Sequence, residues 1–156
     1  MIWDRTIQNL LFISKYPEII HEFTDAMKDR DIEIETAING IEAAAKIKKK
    51  NYDIVITGLS LEGYNGEQII TYLNKTAPST VCIIYTTTIS SAQLHFFINE
   101  RNVFRVFLRP VDFRGAFWEA LEEAYEYHAV QVKNEEDTGA RRQEQEKQER
   151  EIEIMD

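Results

Sequence analysis

The chain has 156 residues, of which 44% are hydrophobic, and carries a net charge of −9 at neutral pH. That length suits one domain of ordinary size plus an extension, with enough apolar residues for a core. The acid excess argues against nonspecific nucleic-acid binding, no apolar run approaches the ~20 residues that span a bilayer, and "MIWDRTIQN" lacks the basic-then-apolar layout of a secretory signal.

Cys82 is the only cysteine and lies inside "TVCIIY", so no disulfide framework is expected and a small core residue is. A soluble, cytoplasmic protein is the expectation.

In chain order, "NLLFIS" reads as a first strand whose continuous apolar character predicts burial on both faces. "YPEIIHEFTDAMKDR" follows as a helix, with Pro17 in its first turn and Ile19, Ile20, Phe23 and Met27 on one face. "IEIETA" alternates as a half-buried edge strand would. "NGIEAAAKIKKKN" predicts a second helix with Ile41, Ala44, Ala45 and the stem of Lys48 at helical spacing. Its basic end, Lys46 to Lys50, complements the helix dipole. "DIVITG" is a third strand and "GEQIITYLNKT" a third helix. "STVCIIYTTT" is a β-branched fourth strand, and "SSAQLHFFINE" a fourth helix capped by Ser90 or Ser91. "FRVFL" is the fifth strand, and "DFRGAFWEALEEAYEYHAV" the fifth helix, with Asp112 as candidate cap.

Five β-α units in alternation imply a parallel sheet with helices on both faces, doubly wound through right-handed crossovers. The folded domain is expected over residues 6–130. Residues 131–156 are a charged tail: 14 of these 26 residues are charged, and Gly139 after Asp137-Thr138 marks an expected break. The segment "ARRQEQEKQEREIEIM" could form a charged helix, with no sustained heptad stripe for a self-sufficient coiled coil.

Ligands on such sheets bind at the carboxyl ends of the strands, which directs attention to "YDIVITGLSLEGYNG". This stretch resembles the third strand and following turn of the receiver domains of bacterial response regulators, with Gly63, Asn65 and Gly66 matching the turn. "LRPVD" is similar to that family's Lys-Pro after strand five, and "IIYTTT" to its fourth strand. The resemblance spans roughly residues 6 to 130. It implies the flavodoxin-like (βα)5 sandwich and a cis bond between Arg109 and Pro110. It also implies a signalling role in a two-component system, with a Ser/Thr role that falls on Thr86 or Thr87.

The departures gather in the family's phosphorylation pocket. Ser14-Lys15 stands where the family has two metal-holding acids, Gly58 where it has the phosphoacceptor aspartate, Arg109 where it has a lysine, and Val106 where it has a switch aromatic. Phosphoryl transfer to a carboxylate needs both the carboxylate and a divalent cation. Neither an aspartyl phosphate nor a Mg²⁺ site is therefore expected, and Glu62 and Glu18 are remote substitutes for the missing acceptor. The resemblance thus points to a pseudo-receiver, not an enzyme and with no cofactor, working as an interaction or dimerisation module. In one version Lys15 occupies the metal position and fixes the loops. In another, Lys15, Arg109, Thr86 and the backbone around Gly58 hold a small anion. The chain could also be the N-terminal regulatory fragment of a larger signalling protein.

Partners are expected to be proteins or a second copy, with neither nucleic acid nor membrane. In the family, helix four, strand five and helix five form the partner face. Here that region is aromatic, and Phe96, Phe97, Val106, Phe113, Phe117 and Trp118 are its candidate interface residues. A flavin protein is disfavoured because "SKYPE" is no phosphate loop, and a transcription factor because no helix-turn-helix follows. His21, His95 and His128 lie on three separate helices without metal-ligand spacing and are expected to be surface or satisfied histidines.

Overall fold

The computed structural model describes residues 8–100 and 102–155, with side chains described as far as Glu136. Five strands, β1 (Gln8–Ile13), β2 (Ile32–Ala37), β3 (Ile54–Thr57), β4 (Val81–Thr86) and β5 (Val103–Leu108), form one parallel sheet in the order β2-β1-β3-β4-β5. Helices α1 (Pro17–Met27), α2 (Gly40–Lys49), α3 (Gly66–Thr76), α4 (Ser91–Ile98) and α5 (Ala116–Met155) connect and follow them. This is the doubly wound parallel sheet that the β-α alternation predicts, in the flavodoxin-like form that the resemblance implies.

The apolar runs of β1, β3 and β4 are buried on both faces because the pleat sends successive side chains to opposite layers. Leu10, Phe12, Ile54, Ile56, Val81, Ile83 and Tyr85 meet α1 and α5. Leu11, Ile13, Val55, Cys82 and Ile84 meet α2, α3 and α4. The first layer is largely aromatic: Phe12 stacks on Phe23 at 4.1 Å, and Phe117 lies within 6.1 Å of Phe23, Tyr85, Phe107 and Phe113.

Helix starts follow the sequence signals. Pro17 opens α1, Asn39 caps α2 by accepting from Glu42 N at 2.8 Å, and Asn65 and Ser90 form capping boxes with Gln68 and Gln93. Asp112 is the exception. Its carboxylate accepts from Arg114 N at 2.9 Å in a turn, and α5 begins only at Ala116.

The buried face of α2 differs from the expected one. Gly40, Ala43 and Ile47 point inward, whereas Ile41 is 63% exposed. Gly40 sets this rotation. Its N–H donates to Glu62 O at 2.8 Å, and a Cβ there would lie 1.8 Å from Tyr64 O, so only this phase of the helix admits the following loop.

Helix α5 continues through Gly139, where the sequence predicts a break. Strong helix formers on both sides outweigh a glycine penalty of about 1 kcal/mol. The helix leaves the domain near Val132, past a polar clasp at the base of the sheet. His128 Nδ1 is 2.8 Å from Ser79 O and Nε2 is 3.1 Å from Asp53 Oδ1. Both partners only accept, so the ring fits as an imidazolium with two donors. The hydrogen bond that His128 donates to Asp53 raises the His128 pKa, against the opposing effect of burial. Asp53 is itself held by Asn9 N at 3.1 Å, and Tyr125 donates to Asn9 O at 3.0 Å.

Because the folded pKa is raised, the clasp contributes its full stability below the unfolded value of about 6.5 and loses it as pH rises through the folded pKa. Urea unfolding at several pH values is expected to show the native chain exceeding His128→Gln most near pH 6, with the gap closing under alkaline conditions. A gap independent of pH would contradict the imidazolium.

Candidate functional site

The loops at the carboxyl ends of β1, β3, β4 and β5 enclose a cleft of about 240 Å³. Ser14, Lys15, Gly58, Thr86, Thr87 and Arg109, all singled out from the sequence, line it together. Tyr16, Ser60, Glu67, Tyr85 and Gln93 line it as well and were not foreseen, since each is contributed by its position relative to other loops.

Ser14 closes β1. It is buried, donates its N–H to Ala37 O at 3.1 Å, and accepts from Tyr16 N on its hydroxyl at 3.2 Å. Lys15 is exposed, and its ammonium crosses the cleft mouth to donate to Ser60 Oγ at 3.3 Å. This contact joins the β1 loop to the β3 loop. Gly58 directly follows β3 and donates to Ile13 O at 3.1 Å. A Cβ at 58 would meet Tyr85 O at 3.6 Å and Ile13 O at 3.9 Å, ordinary contacts. Backbone packing therefore does not require glycine at this position, and a side chain would project among the cleft-lining groups.

Thr86 is buried at the end of β4 with its hydroxyl donating to Thr88 O at 3.1 Å, whereas Thr87 is exposed on the wall. Arg109 N donates to Thr86 O at 2.8 Å, and the following Arg109-Pro110 bond is cis, as the resemblance implies. The Arg109 guanidinium lies 4.7 Å from the Tyr16 ring centroid and 5.9 Å from that of Tyr85. Lys15 Nζ lies 5.2 Å from the same Tyr16 ring, so one tyrosine gathers both cations. Burial raises the Tyr85 pKa, and the neighbouring Arg109 partly offsets this.

Among the described residues neither Lys15 nor Arg109 has a carboxylate in ion-pair contact. The one acid on the wall, Glu67, accepts from Gln93 Nε2 at 3.2 Å, tying the first turn of α3 to that of α4. It lowers the formal charge of the cleft from the +2 read off the aligned positions to +1. Glu18 and Glu62 are exposed and not on the wall.

The donor set does not fit the divalent cation of the resembling family. Mg²⁺ wants hard, anionic oxygens. Here the Ser14 hydroxyl is engaged by Tyr16 N–H, Lys15 is a cation, and the only lining carboxylate among the described residues is already bonded to Gln93. Among the described residues no group of three or more His, Cys, Asp or Glu is placed to hold a metal.

The candidate interface residues separate into two groups. Phe97, Phe113 and Phe117 are at most 2% exposed and belong to the cores, which corrects their expected place on a partner surface. Val106 and Trp118 are half-buried, with Trp118 under the Arg30 guanidinium at 4.1 Å, and only Phe96 is exposed. The rings turn inward because α5 must cover β1, β3 and β4, and because Phe97 is the single buried anchor of the short α4. Among the described residues, the exposed large apolar side chains on these elements are Leu94, Phe96, Ile98, Leu108, Tyr127 and Val130. Among the described residues no helix is long and apolar enough to cross a membrane.

Comparison with known proteins agrees with this geometry. Three solved structures share the fold. The signal receiver domain of an HD domain-containing protein from Pseudomonas fluorescens Pf-5 has a TM-score of 0.74 and 20% identity, over 79% of this chain and 98% of that one. A CheY-like response regulator receiver domain protein from Methanospirillum hungatei JF-1 has 0.73 and 18%, over 80% and 99%. An adenylate cyclase from Rhodopirellula baltica has 0.76 and 20%, over 85% and 97%. No curated protein matches the chain. The response regulator receiver domain family matches residues 11–115, and the chain belongs to that family.

Proposed function

We propose that this receiver domain works without phosphorylation, as a protein-interaction module in two-component-type signalling. The observation that carries this reading is Gly58. The end of β3 carries no nucleophile although a side chain would fit there, and Lys15 and Arg109 stand around it where metal-holding and catalytic groups would be needed. Lys15 and Ser60 tie two of the loops that would otherwise respond to a phosphoryl group. The domain is read as a non-enzyme that presents a fixed surface, with the face of α4, β5 and α5 offered to a protein partner or a second copy. Leu94, Phe96, Ile98 and Leu108 supply its exposed apolar area.

A second reading is favoured by the two cations around Tyr16: a small oxyanion held by Lys15 and Arg109. One experiment separates the two. After incubation with acetyl phosphate and Mg²⁺, the mass of the denatured chain is expected to be unchanged. Covalent addition of one phosphoryl group would sink the first reading. A phosphate adduct seen only under native conditions and lost in Arg109→Gln would support the second.

A further inference from the structure

Helix α2 has two apolar faces. Gly40, Ala43 and Ile47 face the core with Ala44 at its edge, while Ile41 and Ala45 lie on the other side, with Ile41 63% exposed. This outer face borders a groove of about 300 Å³ between α2 and α3, lined by Ala44, Lys48, Tyr64, Gln68, Ile69 and Tyr72. Tyr64, 48% exposed, adds to the apolar surface. The groove's one lining cation among the described residues, Lys48, pairs with no acid there, unlike Lys46 and Lys50. Such a groove suits a short apolar segment flanked by acids.

The chain contains such a segment. Residues 149–155, "EREIEIM", combine Ile152, Ile154 and Met155 with Glu149, Glu151 and Glu153. Ile152 and Met155 are three apart and fall on one helical face. The α5 helix has 40 residues, and its part beyond Val132 runs about 35 Å at the helical rise. A straight helix of that reach carries residues 149–155 away from its own domain, so they cannot return to its own groove. We propose that the α2–α3 groove is a docking site for residues 149–155 of a second copy of this chain. Ile152 and Met155 would enter against Ile41 and Tyr64, with the glutamates facing Lys48. This surface is separate from the face of α4, β5 and α5.

Disulfide trapping between full-length chains tests it. The native Cys82 is buried, which pushes its thiol pKa up and keeps it out of the reaction. Ile41→Cys and Ile152→Cys chains, mixed in equal amounts and mildly oxidised, are expected to give the mixed dimer about tenfold above a Glu18→Cys plus Ile152→Cys control, through the raised local concentration. Lys48→Glu on the first chain should lower the yield, and Glu151→Lys with Glu153→Lys on the second should restore it. A yield equal to the control overturns the proposal. So does a predominance of Ile41→Cys homodimers, which would mean that two α2 faces meet. A bond formed within a single doubly substituted chain at high dilution also overturns it. None of these outcomes depends on whether the domain is phosphorylated.

Discussion

Replacing Phe117 by alanine is expected to destabilise the chain by about 3–5 kcal/mol, the range for deleting a buried aromatic ring. Phe117 is fully buried and sits among four other rings, with Phe107 at 4.8 Å and Phe113 at 5.1 Å. It joins α5 to α1 and β4 through Phe23 and Tyr85. Neighbours fixed in a sheet and two helices cannot collapse into the void, so both the transfer and the cavity contributions are lost. Phe96, which is 36% exposed on α4, should cost under about 1 kcal/mol when truncated in the same way. Urea unfolding of both variants checks this. Comparable losses would mean that the partition of the aromatic residues into core and surface is wrong, and Phe117 would return as an interface candidate.

Gly40→Ala is expected to cost about 3 kcal/mol or more, at or beyond the upper end for overpacking. The added methyl group would meet backbone, with Tyr64 O at 1.8 Å, Tyr64 C at 2.6 Å and Tyr64 N at 2.7 Å, so no rotamer change relieves it. Either α2 or the loop before α3 must shift, breaking the 2.8 Å bond from Gly40 N to Glu62 O. The second case in that loop, Gly66, has Gly58 O at 2.3 Å and Leu59 Cα at 2.9 Å from a notional Cβ. Gly58 is the counter-example. Gly58→Ala should leave the unfolding midpoint nearly unchanged, because its nearest contacts are 3.6 Å and 3.9 Å away. Thus Gly40 and Gly66 are demanded by packing, while Gly58 is free of such demand and marks a chemical choice. A Gly40→Ala variant as stable as the native chain would remove the reason given for the rotation of α2.

The order of elements, the parallel sheet and the Ser90 cap were legible in the sequence because each rests on local chemistry. Pleated apolar runs declare burial on both faces, and Asn65 with Gln68 or Ser90 with Gln93 satisfies a helix end within four residues. The three departures that line the cleft, Ser14-Lys15, Gly58 and Arg109, were also legible, since each sits at a fixed offset from a strand end. Tertiary structure alone decided three further matters. It rotated α2, since the apolar pattern admits two faces and only the close approach of Gly40 to Tyr64 selects one. It sorted the aromatic residues of the last third, since a ring's partner layer depends on which helix crosses which strand. And it brought Tyr16, Glu67 and Gln93 into the cleft and His128 onto Asp53, contacts between residues far apart in the chain that no local period encodes.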